Sequence, residues 1–327
     1  MFWTWIIKKG SKTRANDLSF VNKRTPFWKA FLLLSPALAI VISFIIVPFI
    51  FAVQNGFLFA PDKHDLSVLT FGTKNFTDIF ADPNFIKAIK NSMGYAAFAV
   101  PTTIFASIII SASIAHISGK KTRGIIQTLF FLPYVTSAVA ISIAFAYLFD
   151  FDRGLINVII GKKIPWLTDP QGNSAMKAMI IYGIWRGLAF QILIFTTAML
   201  TVDKTLYKAA SIDGAGPIKQ LFRITLPAIN RTTNFIITMA IIGALKVFPL
   251  ALFQNNPTDA MTYGGSTLML YVYNLVKIGE PYMAGAASVL LVAISIVFSA
   301  IVKQGMNIIV KLCLKAGERN VSNKIKA

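Results

Sequence analysis

Two basic residues interrupt long apolar stretches of the sequence, and they are the first candidates for chemistry. Arg186 lies ten residues into the stretch Met176–Leu200, which is about 15 Å along a helix. Lys246 lies seven residues before the end of the stretch Thr232–Phe253. Because a cation in hydrocarbon is costly, we predict that both side chains face a watery cavity. Two alternatives stay open, namely that Arg186 tethers backbone carbonyls and that Lys246 extends its ammonium group toward the membrane surface.

Aromatic residues accompany the first of these cations. Tyr182, Trp185 and Phe190 all lie within four residues of Arg186. Ligand pockets combine apolar and aromatic walls with a few well-placed polar groups. We therefore predict that these three side chains line the same cavity as Arg186 and Lys246, a combination that suits sugars.

The machinery for covalent chemistry is missing from the sequence. No Gly-x-x-x-x-Gly-Lys-Ser/Thr loop is present to hold a nucleotide phosphate, and neither His-Glu-x-x-His nor Gly-x-Ser-x-Gly occurs. All 13 acidic residues lie outside the interiors of the apolar stretches. Proton- and sodium-coupled carriers usually place an acid there. The sequence therefore disfavours an enzyme and a secondary carrier, while a structural membrane protein without a transport role stays an alternative.

The elements that must position these residues are membrane-spanning helices. The chain has 327 residues, of which 55% are hydrophobic and 14% are charged, against about 25% charged in soluble proteins. Crossing a bilayer takes about 20 apolar residues. Six stretches are predicted to do so: Ala30–Val53, Asn91–Ala115, Ile125–Phe149, Met176–Leu200, Thr232–Phe253 and Met283–Val310. The sequence thus predicts an all-α integral membrane protein, with a transmembrane domain over residues 30–310.

The charges between the predicted spans give an orientation. The formal net charge is +19, and the basic excess appears in alternate connections. It is found in the tail of residues 1–29, around residues 116–124, in the loop of residues 201–231 and in the tail of residues 311–327. The positive-inside rule places these segments, and hence both termini, in the cytoplasm. Because the basic residues are spread over four cytoplasmic segments beside the lipid bilayer, a nucleic-acid partner is excluded.

The longest cytoplasmic connection, residues 201–231, is predicted to form a short helix–turn–helix. Good helix formers precede Asp213-Gly214, which breaks the first helix. Pro217 suits the first turn of a second helix, with an apolar stripe at Ile218, Leu221 and Phe222, and Pro227 is expected to end it. A plain alternative is an interfacial helix that lies on lipid.

Residues of this loop carry a family resemblance. Gly214 is followed by nine residues and then by Ile-x-Leu-Pro, which closely resembles the "EAA" loop of bacterial ABC-importer permeases. The resemblance implies that the loop is the coupling helix that docks on a cytoplasmic ATPase subunit. Lys208 stands where that family has glutamate, which puts any charge contact of the glutamate in doubt. The residues that match the loop, with this departure, are Lys208, Ala209, Ala210, Asp213, Gly214, Ala215, Leu226 and Pro227.

Further motifs are similar to the carbohydrate-type permeases, which serve maltose, oligosaccharides and glycerol 3-phosphate. These motifs are Phe131-Leu132-Pro133, Gly154-Leu155-Ile156-Asn157, Ile184-Trp185-Arg186-Gly187 and Leu245-Lys246-Val247-Phe248. The resemblance implies the type I importer permease fold in a bacterial cell membrane. It implies as partners a second permease subunit, ABC ATPase subunits that use the ATP, and an extracytoplasmic solute-binding protein. Because the sequence has no phosphate-binding loop and no metal-binding motif, we expect this chain to bind no cofactor and no metal. Because that family holds basic residues near both places for neutral sugars too, the charges alone do not make the solute anionic.

Overall fold

The computed structural model describes residues 27–61, 69–169 and 173–325, and it is helical almost throughout. The predicted tail of residues 1–29 lies outside this part, except for its last three residues. The side chains of the C-terminal tail lie outside it as well. The helices are α1 Phe27–Val41, α2 Val47–Phe57, α3 Lys74–Ala81, α4 Pro83–Ala115, α5 Lys120–Val135, α6 Ala138–Leu148, α7 Leu155–Ile160, α8 Asn173–Leu200, α9 Lys204–Ile212, α10 Pro217–Gln220, α11 Leu226–Ala228, α12 Asn230–Leu245, α13 Pro257–Thr262, α14 Leu268–Lys277 and α15 Pro281–Ile325.

Five helical segments are long and apolar enough to cross a membrane, and a bent pair makes up to six among the described residues. The five are Phe27–Phe57, Pro83–Ala115, Ser174–Leu200, Asn230–Phe253 and Pro281–Gly305. This agrees with the all-α membrane fold predicted from the sequence. Large apolar side chains such as Phe98 and Phe105 of α4 are about two-thirds exposed, as suits a surface that faces lipid. Which side of the membrane each terminus faces stays a prediction.

The chain divides into two units after Ala52. The first unit contains α1, a π-helical turn over Ile42–Ile46 and the start of α2, which together form one apolar helix. The second unit holds all the other elements, including the residues of the predicted site. A two-stranded antiparallel hairpin, Leu58–Phe59 with Thr70–Phe71, follows α2.

The third predicted span is wrong as a single helix. Residues 125–149 divide into α5 and α6, which meet at an angle of 91°. The Ser137 side chain caps α6 by accepting a hydrogen bond from the Ala140 N–H at 3.5 Å, as serine commonly does at a helix start. Pro133, four residues upstream, has no N–H to support the last turn of α5. The apolar sequence continues through residues 125–149, but the cap at Ser137 begins a new helix within it.

The fifth predicted span is also interrupted. Helix α12 ends at Leu245, with Lys246 as its C-cap, and a 3₁₀ turn follows over Leu250–Phe253. Pro249 explains the break, because proline lacks an N–H and restricts the residue before it to non-helical backbone. Lys246 thus lies at a helix end and not within a helix. The other boundaries differ less: the second span begins at Pro83, and the last helix continues beyond Val310 into the predicted tail.

The helices α4, α8 and α12 form the core of the second unit, and α4 packs closely on α8. Small residues permit this approach, as is usual between membrane helices. At Gly183 a side-chain carbon would overlap the Tyr95 ring and hydroxyl, so only glycine fits there. The Ser111 hydroxyl donates to the Ile192 carbonyl at 3.1 Å across the same interface. These contacts hold α4 against α8 beside the predicted site.

Candidate functional site

A cavity of about 770 Å³ lies among α4, the α5–α6 bend, α8, α12 and the segment after α12. This volume falls within the usual range of ligand pockets, about 300–1,000 Å³. Its walls are mainly apolar and aromatic, with a few polar groups. The lining residues are Tyr95, Tyr134, Ala138, Val139, Ser142, Met179, Tyr182, Gly183, Arg186, Gly187, Phe190, Gln191, Ile236, Met239, Ala240, Gly243, Lys246, Val247, Phe248, Pro249, Leu250, Ala251 and Asn255.

Arg186 contributes a half-buried cation to this cavity from the middle of α8. Its Nη1 donates a hydrogen bond to the Tyr182 hydroxyl at 3.3 Å. That hydroxyl lies 2.7 Å from the Ser142 Oγ of α6. The guanidinium is therefore linked to neutral groups. This series of hydrogen bonds connects α8 to α6, the helix that begins at the bend.

Lys246 reaches the cavity from the end of α12, where its side chain is exposed. The helix break places it there together with Val247 and Asn255. The Thr267 hydroxyl donates to the Val247 carbonyl at 2.9 Å and so fixes the segment after the break. Asn255 has a φ of 62°, a left-handed conformation that asparagine tolerates better than most residues.

The aromatic residues predicted near Arg186 divide into two groups. Tyr182 and Phe190 line the cavity, and the Phe190 ring stacks on Tyr134 with centroids 5.4 Å apart. Trp185 does not line it and instead packs against Phe145 at 5.0 Å. The reason is helical geometry: residues four apart share a face with Arg186, whereas the adjacent Trp185 is turned by about 100°. Four of the five predicted path residues are thus brought together, and their role in solute passage stays a prediction.

Sequence reasoning missed Gln191, which is 7% exposed at the cavity wall. The Ser107 hydroxyl donates to its Oε1 at 3.1 Å. The Ser107 Oγ also lies 2.9 Å from the Ile104 carbonyl. A glutamine five residues after Arg186, inside an apolar stretch, was the available signal.

The predicted coupling loop has the helix–turn–helix form expected from its sequence. Helix α9 begins after Asp203, whose carboxylate accepts from the Thr205 N–H at 2.9 Å; this bond lowers the pKa of Asp203. The turn falls at Gly214, which has a φ of +70°. The Ala215 N–H donates to the Ala210 carbonyl at 2.8 Å and closes the turn.

The second arm of the loop differs from expectation at Pro227. Helix α10 is followed by a π-helical turn over Leu221–Thr225 and then by α11, which contains Pro227. Pro227 lies in the first turn of α11, directly after the π-helical turn, and proline is tolerated in a first turn. It therefore does not end the second arm, which continues through Ile229 into α12.

Two side-chain contacts hold the arms of the loop together. The buried Gln220 amide donates to the Ser211 Oγ at 3.0 Å and to the Ala215 carbonyl at 2.8 Å. The Tyr207 hydroxyl lies 2.8 Å from the Thr225 Oγ1. We call these contacts the loop brace. The loop brace therefore joins α9 to the second arm of the loop.

The outer surface of the loop exposes large apolar side chains beside charged ones. Lys208, Ala209 and Asp213 are exposed, and Ala210 and Ala215 are partly exposed. Large apolar side chains accompany them: Ile212 is 88%, Ile218 75% and Phe222 60% exposed. Exposed apolar patches of this kind mark interaction sites with protein or with lipid.

Comparison with known proteins identifies the family. Residues 104–311 match the family described as "Binding-protein-dependent transport system inner membrane component". The chain is 40% identical to the probable ABC transporter permease protein MG188 of Mycoplasma genitalium, over 93% of each chain. It is 30% identical to the lactose transport system permease protein LacF of Rhizobium radiobacter, over 79% of this chain and 86% of the other.

A solved structure shares the fold. It is a bacterial alginate ABC transporter in complex with an alginate pentasaccharide-bound periplasmic protein, with a TM-score of 0.70 and 22% identity. The similarity covers 84% of this chain and 92% of that chain. A multi-pass helical chain with this fold and these relatives belongs to the family of binding-protein-dependent transport system inner membrane components.

Proposed function

We propose that this chain is one permease subunit of an ATP-driven ABC importer, which moves a carbohydrate-type solute across a bacterial cell membrane. The solute is a sugar or glycerol 3-phosphate. The observation that carries the proposal is the 770 Å³ cavity with its cationic and aromatic lining, in a chain of the binding-protein-dependent transport family. The naming of a relative as a lactose permease supports the carbohydrate class.

The partners follow from what the chain lacks. Because the sequence has no phosphate-binding loop, separate ABC ATPase subunits bind and hydrolyse the ATP, and this chain holds no cofactor. A second permease subunit completes the path. An extracytoplasmic solute-binding protein delivers the solute, as the complex of the structural relative suggests.

The coupling loop transmits force in this scheme. Closure of the ATPase pair on ATP moves the exposed surface around Ile212 and Ile218, and the loop brace makes the loop follow as one body. The cavity then changes from inward-facing to outward-facing. The outward-facing state becomes more populated if the closed ATPase subunits bind the loop more tightly in that state than in the inward-facing state.

Reconstitution of the complete importer in proteoliposomes tests the function. We expect uptake of a labelled sugar or of glycerol 3-phosphate that depends on ATP, on the ATPase subunits and on the binding protein. Uptake driven by an ion gradient without ATP would instead make the chain a secondary carrier. Complexes that transport none of the probes, although folded and assembled, would favour a structural role.

A further inference from the structure

We infer that the solute carries an anionic group, a phosphate ester or a carboxylate, which Arg186, Lys246 and Gln191 bind in the cavity. The inference rests on the proposed function and narrows its substrate class. It depends on three polar side chains that line one cavity, two from α8 and one from the end of α12.

The two cations lack a neutralising partner. Both line the cavity, and no lining residue in the described part of the chain is an aspartate or a glutamate. The ion pair present among the described residues joins Lys163 to Asp152, both of which are well exposed. Arg186 instead donates to the neutral Tyr182 hydroxyl. Two cations at one site in a membrane protein are costly unless an anion compensates them.

Gln191 adds a third polar group to the site. Its side-chain amide lies 3.1 Å from the Ser107 Oγ, which also lies 2.9 Å from the Ile104 carbonyl. Gln191 lies on the same helix as Arg186, five residues further on, and lines the same cavity. A ligand rich in acceptor oxygens can bind both cations and the NH₂ group of this amide.

The remaining walls fit the carbon skeleton of such a solute. Tyr182 and the stacked pair of Phe190 and Tyr134 provide aromatic surface beside the cations. The cavity volume of about 770 Å³ accommodates a phosphorylated polyol or an acidic sugar together with water. The lining therefore separates into a donor-rich region for the anion and an apolar region for the skeleton.

The experiment compares probes of different charge in the complete importer with its own binding protein, reconstituted in ATP-loaded proteoliposomes. The probes are labelled glycerol 3-phosphate, a uronate-containing disaccharide and neutral lactose. We expect ATP-dependent uptake of an anionic probe. Uptake of glycerol 3-phosphate would indicate a phosphate ester, and uptake of the uronate-containing disaccharide would indicate a carboxylate. Arg186→Gln and Lys246→Gln should each reduce this uptake about tenfold or more, since a hydrogen bond to a charged group is lost.

Matched variants separate charge from folding. Arg186→Lys and Lys246→Arg retain the charge and should keep most of the uptake. Lys177→Gln removes one positive charge from an exposed position of the same helix, outside the cavity lining, and should leave uptake unchanged. Gln191→Leu should weaken uptake of the anionic probe while complex yield stays normal.

Three outcomes contradict the inference. One is ATP-dependent uptake of lactose alone, unaffected by either Gln substitution; this result leaves the proposed function intact. Another is loss of assembly with the second permease in Arg186→Gln and Lys246→Gln, which would show that the cations pair with acids of the partner. The third is the absence of ATP-dependent uptake for any probe, which contradicts the proposed function itself.

Discussion

Substitution of Gly214 by valine tests the coupling loop at its most constrained residue. Gly214 has a φ of +70°, and a side-chain carbon added there would meet no atom within 4 Å. The substitution therefore causes no clash, and its effect comes from the backbone alone. The turn is closed by the Ala215–Ala210 hydrogen bond at 2.8 Å, which depends on this conformation.

The magnitude follows from the left-handed conformation. For an L-residue it costs about 1–2 kcal/mol, and a β-branched side chain lies at the unfavourable end because its rotamers are restricted. Such a cost changes the ratio of native to rearranged turns by about 5- to 30-fold. The loop then presents Ile212 and Ile218 at a different angle. We expect uptake and solute-stimulated ATPase activity to fall, by at most about this factor, while insertion and complex yield stay normal.

The chain offers a matched control two residues further on. Gly216 is also exposed and also has open space around it, but its φ is −68°, which any residue adopts. Gly216→Val should therefore keep nearly full coupling. Gly214→Asn should be intermediate, because asparagine tolerates the left-handed region.

The assay measures ATP-dependent uptake and ATPase activity stimulated by the loaded binding protein, in the same proteoliposomes. If Gly214→Val matched Gly216→Val in both measurements, the turn would not determine coupling and the reasoning would be refuted. A loss of complex yield in Gly214→Val would show instead that the turn is needed for assembly.

Other predictions concern the brace, the nucleotide and the topology. Gln220→Leu removes two hydrogen bonds of the loop brace, worth about 1–3 kcal/mol in total. It should lower the uptake per ATP hydrolysed more than Tyr207→Phe does. The same uptake per ATP in both variants and in the wild type would contradict the role of the brace. The purified chain alone should bind no ATP in equilibrium dialysis, and ATPase activity that persists after every partner is removed would contradict the subunit assignment. A cysteine at Thr258 should react with an impermeant thiol reagent added to intact cells, whereas one at Ser322 should not; labelling at Ser322 would refute the cytoplasmic C-terminus.

The sequence predicts the spans because hydropathy over about 20 residues reports directly on what lipid tolerates. It does not predict the bend between α5 and α6, because Ser137 and Pro133 act through individual hydrogen bonds that a hydropathy average does not register. The break before Lys246 was missed for the same reason, although Pro249 marks it.

At the candidate site, the success of the prediction depended on the kind of signal. Arg186 and Lys246 were found because a charge in an apolar stretch needs an explanation, and Gly214 because a turn needs positive φ. Trp185 was misplaced because proximity in sequence was used where helical phase decides. Gln191 was missed because a single amide is a weak signal, and its orientation depends on Ser107 of another helix.

The predicted coupling loop and the cavity are connected directly along the chain. Helix α8 carries Arg186 and ends at Leu200, and α9 begins at Lys204. On the other side, α11 ends at Ala228 and α12, which leads to Lys246, begins at Asn230. The braced loop therefore lies between the two helices that bring the cations to the cavity. Three residues connect it to α8, and one residue connects it to α12. Because Gln220 and Tyr207 join the two arms of the loop, we expect a movement imposed on its exposed surface to reach both cationic walls together.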